Sequence, residues 1–157
     1  SRPSASSAAP MPPVWVGNAS AAAIRRAARR GDGWFPSLIS PAEVAEGAAR
    51  LAEQAAGHGR RVPVIAIGAA AALGDAPGVP SREEIAAGIS GAYGRPVEEV
   101  ADIPLTGTPE RAAERLAAYR AAGARHVVVG ISGGDWRAQV DLLAEVRALL
   151  RADGPRG

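Results

Sequence analysis

Two short stretches of this sequence place bare backbone where a ligand can approach. The first is Gly17-Asn18-Ala19-Ser20, set between the apolar run Val14-Trp15-Val16 and an Ala/Arg-rich segment that stops at Gly31. Val14–Gly17 reads as a short buried strand and the segment after Ser20 as a helix. A strand that enters a helix through such a turn leaves the first helical N–H groups unpaired, and the helix dipole adds partial positive charge there. A phosphate fits that position without a dedicated cation, and the Ser20 hydroxyl supplies one more donor. The same residues also make a plain tight turn with Asn18 or Ser20 as helix cap, and composition leaves both readings open. Neither GxxxxGK nor GxGxxG is present to decide between them. The second stretch is GISGGDW, Gly130 to Trp136. Gly133 and Gly134 offer close approach, although a tight turn capped by Asp135 is what those residues favour.

Side chains suited to acid–base or nucleophilic work are scarce. His58 falls at a helix C-terminus, where a cation offsets the dipole, and His126 at the entrance of a strand. Neither has a second His or a carboxylate at ligand spacing, so no metal site is expected. The pairs Glu43/Glu46, Glu83/Glu84 and Glu98/Glu99 read as solvated helix faces. With no cysteine, thiol catalysis and disulfides are excluded. No catalytic residue can be assigned, and any demanding chemistry would belong to a bound cofactor.

The charge pattern narrows the partners. All 18 basic residues are Arg, so the isoelectric point near 9.9 reflects a side chain that stays protonated, while the net charge is only +2. The Arg residues alternate with Glu, and the few aromatics are scattered, which argues against nucleic-acid binding. No apolar run approaches the roughly 20 residues of a membrane span, so no membrane partner is expected.

The elements that must position the two turns follow from periodicity and capping. Val14–Gly17, Trp34–Leu38, Val62–Gly68 and His126–Ile131 are apolar runs without polar alternation, as expected of strands buried on both faces. Between them lie helices with clear starts. Ser40, Pro41 and Glu43 form a capping box with Pro at the first helical position, and Gly57 and Gly59 end that helix. Ser81 and Glu84 begin a smaller helix, and Thr108-Pro109-Glu110 a further one that stops at Gly123. The last helix is expected over about 135–150, with Val140, Leu143, Val146 and Leu150 facing inward. Strands alternating with helices predict an α/β fold with a parallel sheet and right-handed crossovers. Four such units make about half of a (β/α)8 barrel, which needs about 250 residues.

The runs PVWVGNASAAAIRRAARRGDGWFPSLISPAEVAEG and LTGTPERAAERLAAYRAAGARHVVVGISGGDW resemble the C-terminal half of luciferase-like flavin-dependent oxidoreductases and monooxygenases. Val16, Gly17, Ser20, Arg25, Arg26, Asp32, Gly33 and Trp34 match the family pattern after its fifth strand, with Asn18 in place of the second glycine. Gly107, Thr108, Pro109, Glu110, Leu116, Gly123 and Ala124 match the approach to the eighth strand. The resemblance implies a partial TIM barrel, about the last four βα units, over residues 13–152. Residues 1–12 are expected to be a flexible linker that something once preceded, and 153–157 a disordered tail.

By the same resemblance the cofactor is FMN or a deazaflavin of the F-420 type, its phosphate lying against Gly17, Asn18, Ala19 and Ser20. Trp15, Trp34 and the Gly130–Gly134 turn are weaker candidates for lining the pocket. The resemblance implies hydride transfer or oxygen activation on a small-molecule substrate by a flavoprotein; the Arg-rich composition suits a GC-rich bacterial source, and a cytoplasmic location is expected. The chain lacks the half that in this family supplies much of the ring pocket. The two outer strands would then be open edges, so association with that N-terminal half, or with a second copy, is expected. The rival readings are a non-catalytic half-barrel that binds a partner chain or an anionic ligand, and an inert truncated fragment.

Overall fold

The computed structural model describes residues 11–154. Most of the expected linker therefore lies outside the described residues, and Met11 and Pro12 are exposed and in neither strand nor helix. Of the expected tail, Asp153 and Gly154 are described and 155–157 lie outside.

Among the described residues five strands form one sheet: β1 (Trp15–Gly17), β2 (Gly33–Phe35), β3 (Val64–Leu73), β4 (Leu105–Gly107) and β5 (His126–Ile131). Every pairing is parallel, as the alternation with helices requires. β3 organises the sheet, because its backbone groups point alternately to its two edges. On one edge Val64 N–H donates to Asp32 O (3.0 Å), Gly68 to Ser37 O (3.2 Å) and Gly74 to Gly107 O (2.8 Å). β2 and then β4 therefore follow each other along that edge. On the other edge Ile65 O and Ala71 O accept from Arg125 and Ser132, each at 2.8 Å, which seats β5.

The helices begin where their caps dictate. α1 (Ala21–Arg30) is capped by Ser20, α2 (Pro41–Gly57) by the Ser40–Glu43 box, and α3 (Arg82–Tyr93) by the Ser81–Glu84 box. α5 (Pro109–Ala122) starts at Thr108, and α6 (Trp136–Ala152) at Asp135. The C-terminal carbonyls of α1 are closed from a distance. The Arg60 guanidinium donates to Ala27 O, Ala28 O and Gly31 O at 3.3, 2.8 and 3.0 Å.

Several expectations are corrected. β2 ends at Phe35 rather than continuing to Leu38, since Ser37 adopts φ of 72°, outside any strand. β3 runs on to Leu73, and the short helix α4 (Val97–Val100) and strand β4 were not anticipated. In α6 the inward face holds Gln139 and Val146, whereas Val140 is exposed. Gln139 is drawn in because its side chain closes the free end of β3. Its Oε1 accepts from Leu73 N–H and its Nε2 donates to Leu73 O, both at 2.8 Å.

The largest correction concerns the two faces of the sheet. The strands were expected to be buried on both sides; β3 is so over most of its length, but the burial of β5 alternates throughout. The helix-facing side carries Trp34, Ile65, Ile67, Ala69 and Ala71, all buried. The main core forms there, including Leu51, Tyr119 and Val146. On the opposite side Trp15, 46% exposed, and Val128, 61% exposed, stand open among glycines and alanines, whereas the C-terminal part of β3 is covered there: Ala70 and Ala72 pack with Ile85, Ala86, Ile89, Val100 and Ile103 in a second cluster. Val14 is likewise exposed, so the first run is not a buried strand.

The Tyr119 hydroxyl, within the core, donates to Ile39 O at 2.6 Å. Burial pushes its pKa up to about 12; nearby Arg115 opposes that rise and Glu43 adds to it. No helix among the described residues is long and apolar enough to cross a membrane.

Candidate functional site

The turn at the end of β1 keeps its shape through three hydrogen bonds. Asn18 adopts φ of 78°, the left-handed region that few side chains tolerate. Asparagine is one of those few, so Asn18 holds this backbone path without a glycine. Its Oδ1 accepts from Ser20 N–H at 2.8 Å, and Ser20 Oγ accepts from Ala23 N–H at 3.1 Å. Trp34, fully buried below, donates from Nε1 to Asn18 O at 2.8 Å. Trp34 is thus a brace beneath the turn rather than the wall of an open pocket at the sheet's free face.

Both sequence readings of the turn therefore have a physical basis in the same residues. The N-cap is formed, and it uses the amides of Ser20 and Ala23. The amides of Ala21 and Ala22, the first two of α1, donate to no described residue, as the start of a helix requires. The Ser20 hydroxyl accepts one hydrogen bond and keeps its own proton to donate. Gly17, Asn18, Ala19 and Ser20 are all exposed, so a ligand reaches this backbone from solvent. The donor set left to an anion is smaller than the bare sequence implied, because two amides are already spent.

Gly17 also opens onto a second feature that the sequence reading missed. Trp15, Gly17, Phe35, Ala66, His126 and Val128 line an open apolar hollow of about 560 Å³ on the free face of the sheet. Pairing register brings them together: Gly17 is level with Phe35, and His126 with Ala66. A Cβ added at Gly33 would lie 2.3 Å from Trp15 Cε3, so the indole rests directly on that glycine. The available signal was the glycines on alternate positions of neighbouring strands, hidden by the equally apolar residues on the covered face. His126 contributes an exposed imidazole to this hollow.

In the Gly130–Gly134 turn, Gly133 and Gly134 lie against the loop around 78–80, while Gly130 and Ser132 are exposed. A Cβ at Gly133 would meet Pro80 Cδ at 2.7 Å, and one at Gly134 would meet Gln139 Nε2 and Val79 Cγ2 at 3.2 Å. Asp135 caps α6 by accepting from Ala138 N–H at 3.0 Å. These glycines let the loop around 78–80 dock, which fulfils the tight-turn reading. His58 is the C-cap of α2, on a different element from His126. Among the described residues no group of three His, Asp or Glu side chains is placed to hold a metal.

A family model described as luciferase-like monooxygenase matches residues 1–79. No curated protein matches the chain. Among solved structures, an F420-dependent secondary alcohol dehydrogenase in complex with an F420-acetone adduct superposes with a TM-score of 0.70 and 13% identity. That alignment covers 90% of this chain and 49% of the dehydrogenase. The coenzyme F420-dependent tetrahydromethanopterin reductase from Methanopyrus kandleri gives a TM-score of 0.66 at 14% identity, over 88% of this chain and 51% of that one. The EDTA monooxygenase from Chelativorans sp. BNC1 gives 0.63 at 15% identity, over 93% and 46%. At these identities the likeness establishes the fold, and the chain spans about half the length of the structures it matches.

Proposed function

Since this chain belongs to the luciferase-like monooxygenase family, we propose that it provides the cofactor-phosphate-binding part of a flavin- or deazaflavin-dependent oxidoreductase. The observation that carries this reading is the end of β1. There the amides of Ala21 and Ala22 and the proton of the Ser20 hydroxyl are unpaired among the described residues, and Gly17 of the same turn lines an apolar hollow. Backbone donors at a helix start suit a phosphate, and an apolar floor of Phe35, Ala66 and Val128 suits a flat ring system. The residues therefore fit the group: Gly17, Asn18, Ala19 and Ser20 would hold the phosphate, with Trp15 and Phe35 beside the ring. The bound cofactor would supply hydride transfer or oxygen activation. What this chain contributes is orientation, an anion-binding turn and exclusion of water from one face.

The choice between FMN and deazaflavin follows from titration, not from the turn. Two of the solved structures above name F420, and a further one of similar fold is a riboflavin lyase with modified FMN. The free face of the sheet and its unpaired outer edges favour association with four further βα units, from an N-terminal half or from a second copy. A soluble enzyme of the cytoplasm acting on a small molecule suits this reading.

Cofactor fluorescence provides the test. FMN and a deazaflavin are each titrated with the chain alone and with the chain mixed with the N-terminal four βα units of a family barrel. Saturable quenching by one cofactor, weakened about tenfold in Ser20→Ala, is the expected result. Absence of binding by both cofactors in both settings would overturn the proposal and leave the non-catalytic half-barrel.

A further inference from the structure

Three arginines meet in a cleft on another part of the molecule. Arg82 opens α3, while Arg111 and Arg115 lie one turn apart on α5. With Thr106 and Glu114 they line a space of about 490 Å³ that runs along α5 as far as Ala118.

Two of the three guanidiniums are tethered by their neighbours. Arg82 Nε donates to Thr106 Oγ1 at 3.4 Å, and its Nη1 sits 3.5 Å from Asp102 Oδ1. Arg115 Nη2 donates to the Asp102 carbonyl oxygen at 2.6 Å. Each guanidinium carries five N–H donors, so these bonds leave most of each fork unused. The Arg111 side chain has no acceptor among the described residues, and its aliphatic stem lies beside Gly107.

Charge explains what the cleft lacks. Arg111 and Arg115 are four residues apart on one helix, where like charges repel. Glu114 lines the same space but forms no ion pair with any of the three. The one carboxylate that pairs with them, Asp102, is 80% exposed and engages Arg82. A neutral ligand would leave the repulsion in place, and a bare carboxylate would satisfy one fork. A tetrahedral oxyanion presents several oxygens to several forks at once.

We infer that the Arg82–Arg111–Arg115 cleft binds a phosphate group, free or carried on a small ester. This site shares no residue with the turn after β1, so it stands whether or not that turn holds a cofactor.

The test is a titration of the full chain with inorganic phosphate, and separately with methyl phosphate, at constant ionic strength in chloride. Arginine Nε–Hε and backbone amide signals are followed by NMR. Saturable shifts at Arg82, Arg111, Arg115 and Thr106 are expected. Stronger binding of the ester than of inorganic phosphate assigns the group to a larger molecule, and the reverse assigns it to the free ion. Because the Arg111 side chain is exposed and unbonded, R111A keeps the fold and should weaken binding about tenfold. R111K should weaken it less, and R25A on α1 should leave it unchanged. Shifts that chloride reproduces, or R111A binding as tightly as the parent, would overturn the inference.

Discussion

The indole nitrogen of Trp34 donates to the carbonyl oxygen of Asn18, 2.8 Å away, across sixteen positions of sequence. This bond joins β2 to the turn that ends β1, so the shape of the candidate anion site depends on a core residue that no ligand need touch. Trp34→Phe removes the donor and leaves a void beneath the turn. A stability loss of about 2–4 kcal/mol by chemical denaturation is expected, together with faster amide exchange at 18–20.

The far end of the same indole rests on Gly47 of α2. A Cβ placed there would lie 2.3 Å from Trp34 Cη2, so Gly47→Ala overpacks the helix–sheet contact. A cost of about 1–3 kcal/mol is expected for the single change. Phenylalanine at 34 lacks the clashing ring edge, so the double variant should lose less than the sum of the two singles. A denaturation-based double-mutant cycle reads the difference, and strict additivity would show that the contact does not constrain the core.

Asn18 offers a comparison of backbone against side chain. Asn18→Gly keeps the left-handed conformation and loses the bond to Ser20 N–H, so its cost should stay below about 1 kcal/mol. Asn18→Val loses the bond and also meets the steric penalty of φ 78° on a β-branched residue. That variant should fall by about 2 kcal/mol or more, read as a shift in denaturation midpoint. Equal costs for the two would mean the strain is absent.

Gln139 satisfies both backbone groups of Leu73 in a fully buried position. Gln139→Leu conserves volume but leaves an N–H and a C=O without partners, at a cost of about 2–5 kcal/mol by denaturation. Hydrogen exchange localises the effect, since protection should drop first at the end of β3.

Tyr119 makes stability sensitive to alkali. Burial raises its pKa from 10.0 to about 12, so the folded state holds the phenolic proton more tightly than the unfolded chain. The stabilisation is therefore complete below pH 10 and is lost as the pH climbs from 10 towards 12. About 2–3 kcal/mol should disappear over that window. With no lysine or cysteine and only two tyrosines in the sequence, absorbance at 295 nm follows the process with little interference. Tyr119→Phe should be less stable at neutral pH, because Ile39 O loses its donor, and should lack this alkaline loss.

Caps and crossovers were legible in the sequence because they are local. Ser40 with Glu43, Ser81 with Glu84, and Thr108 with Pro109 each act within one helical turn, so their spacing carries the information. The parallel sheet followed from the alternation they set. The two faces of the sheet were not legible. Exposed Val128 and covered Val129 are identical in type, and which one meets the helices is fixed by pairing with β3, not by composition. Gln139 was missed for a similar reason, since its partner at Leu73 lies sixty-six positions away. At the candidate site the turn was legible from its small residues. What sequence could not reveal was that Asn18 and Ser20 consume two of its amides.

The Arg60 strap has a bearing on how the chain is made. The residues it ties down at the end of α1 emerge from the ribosome 29 to 33 positions before it does. Until Arg60 arrives, the carbonyls of Ala28 and Gly31 lack this donor and Ala27 O has Gly31 N–H alone. The end of α1 therefore gains its last hydrogen bonds only once the chain has been made past α2.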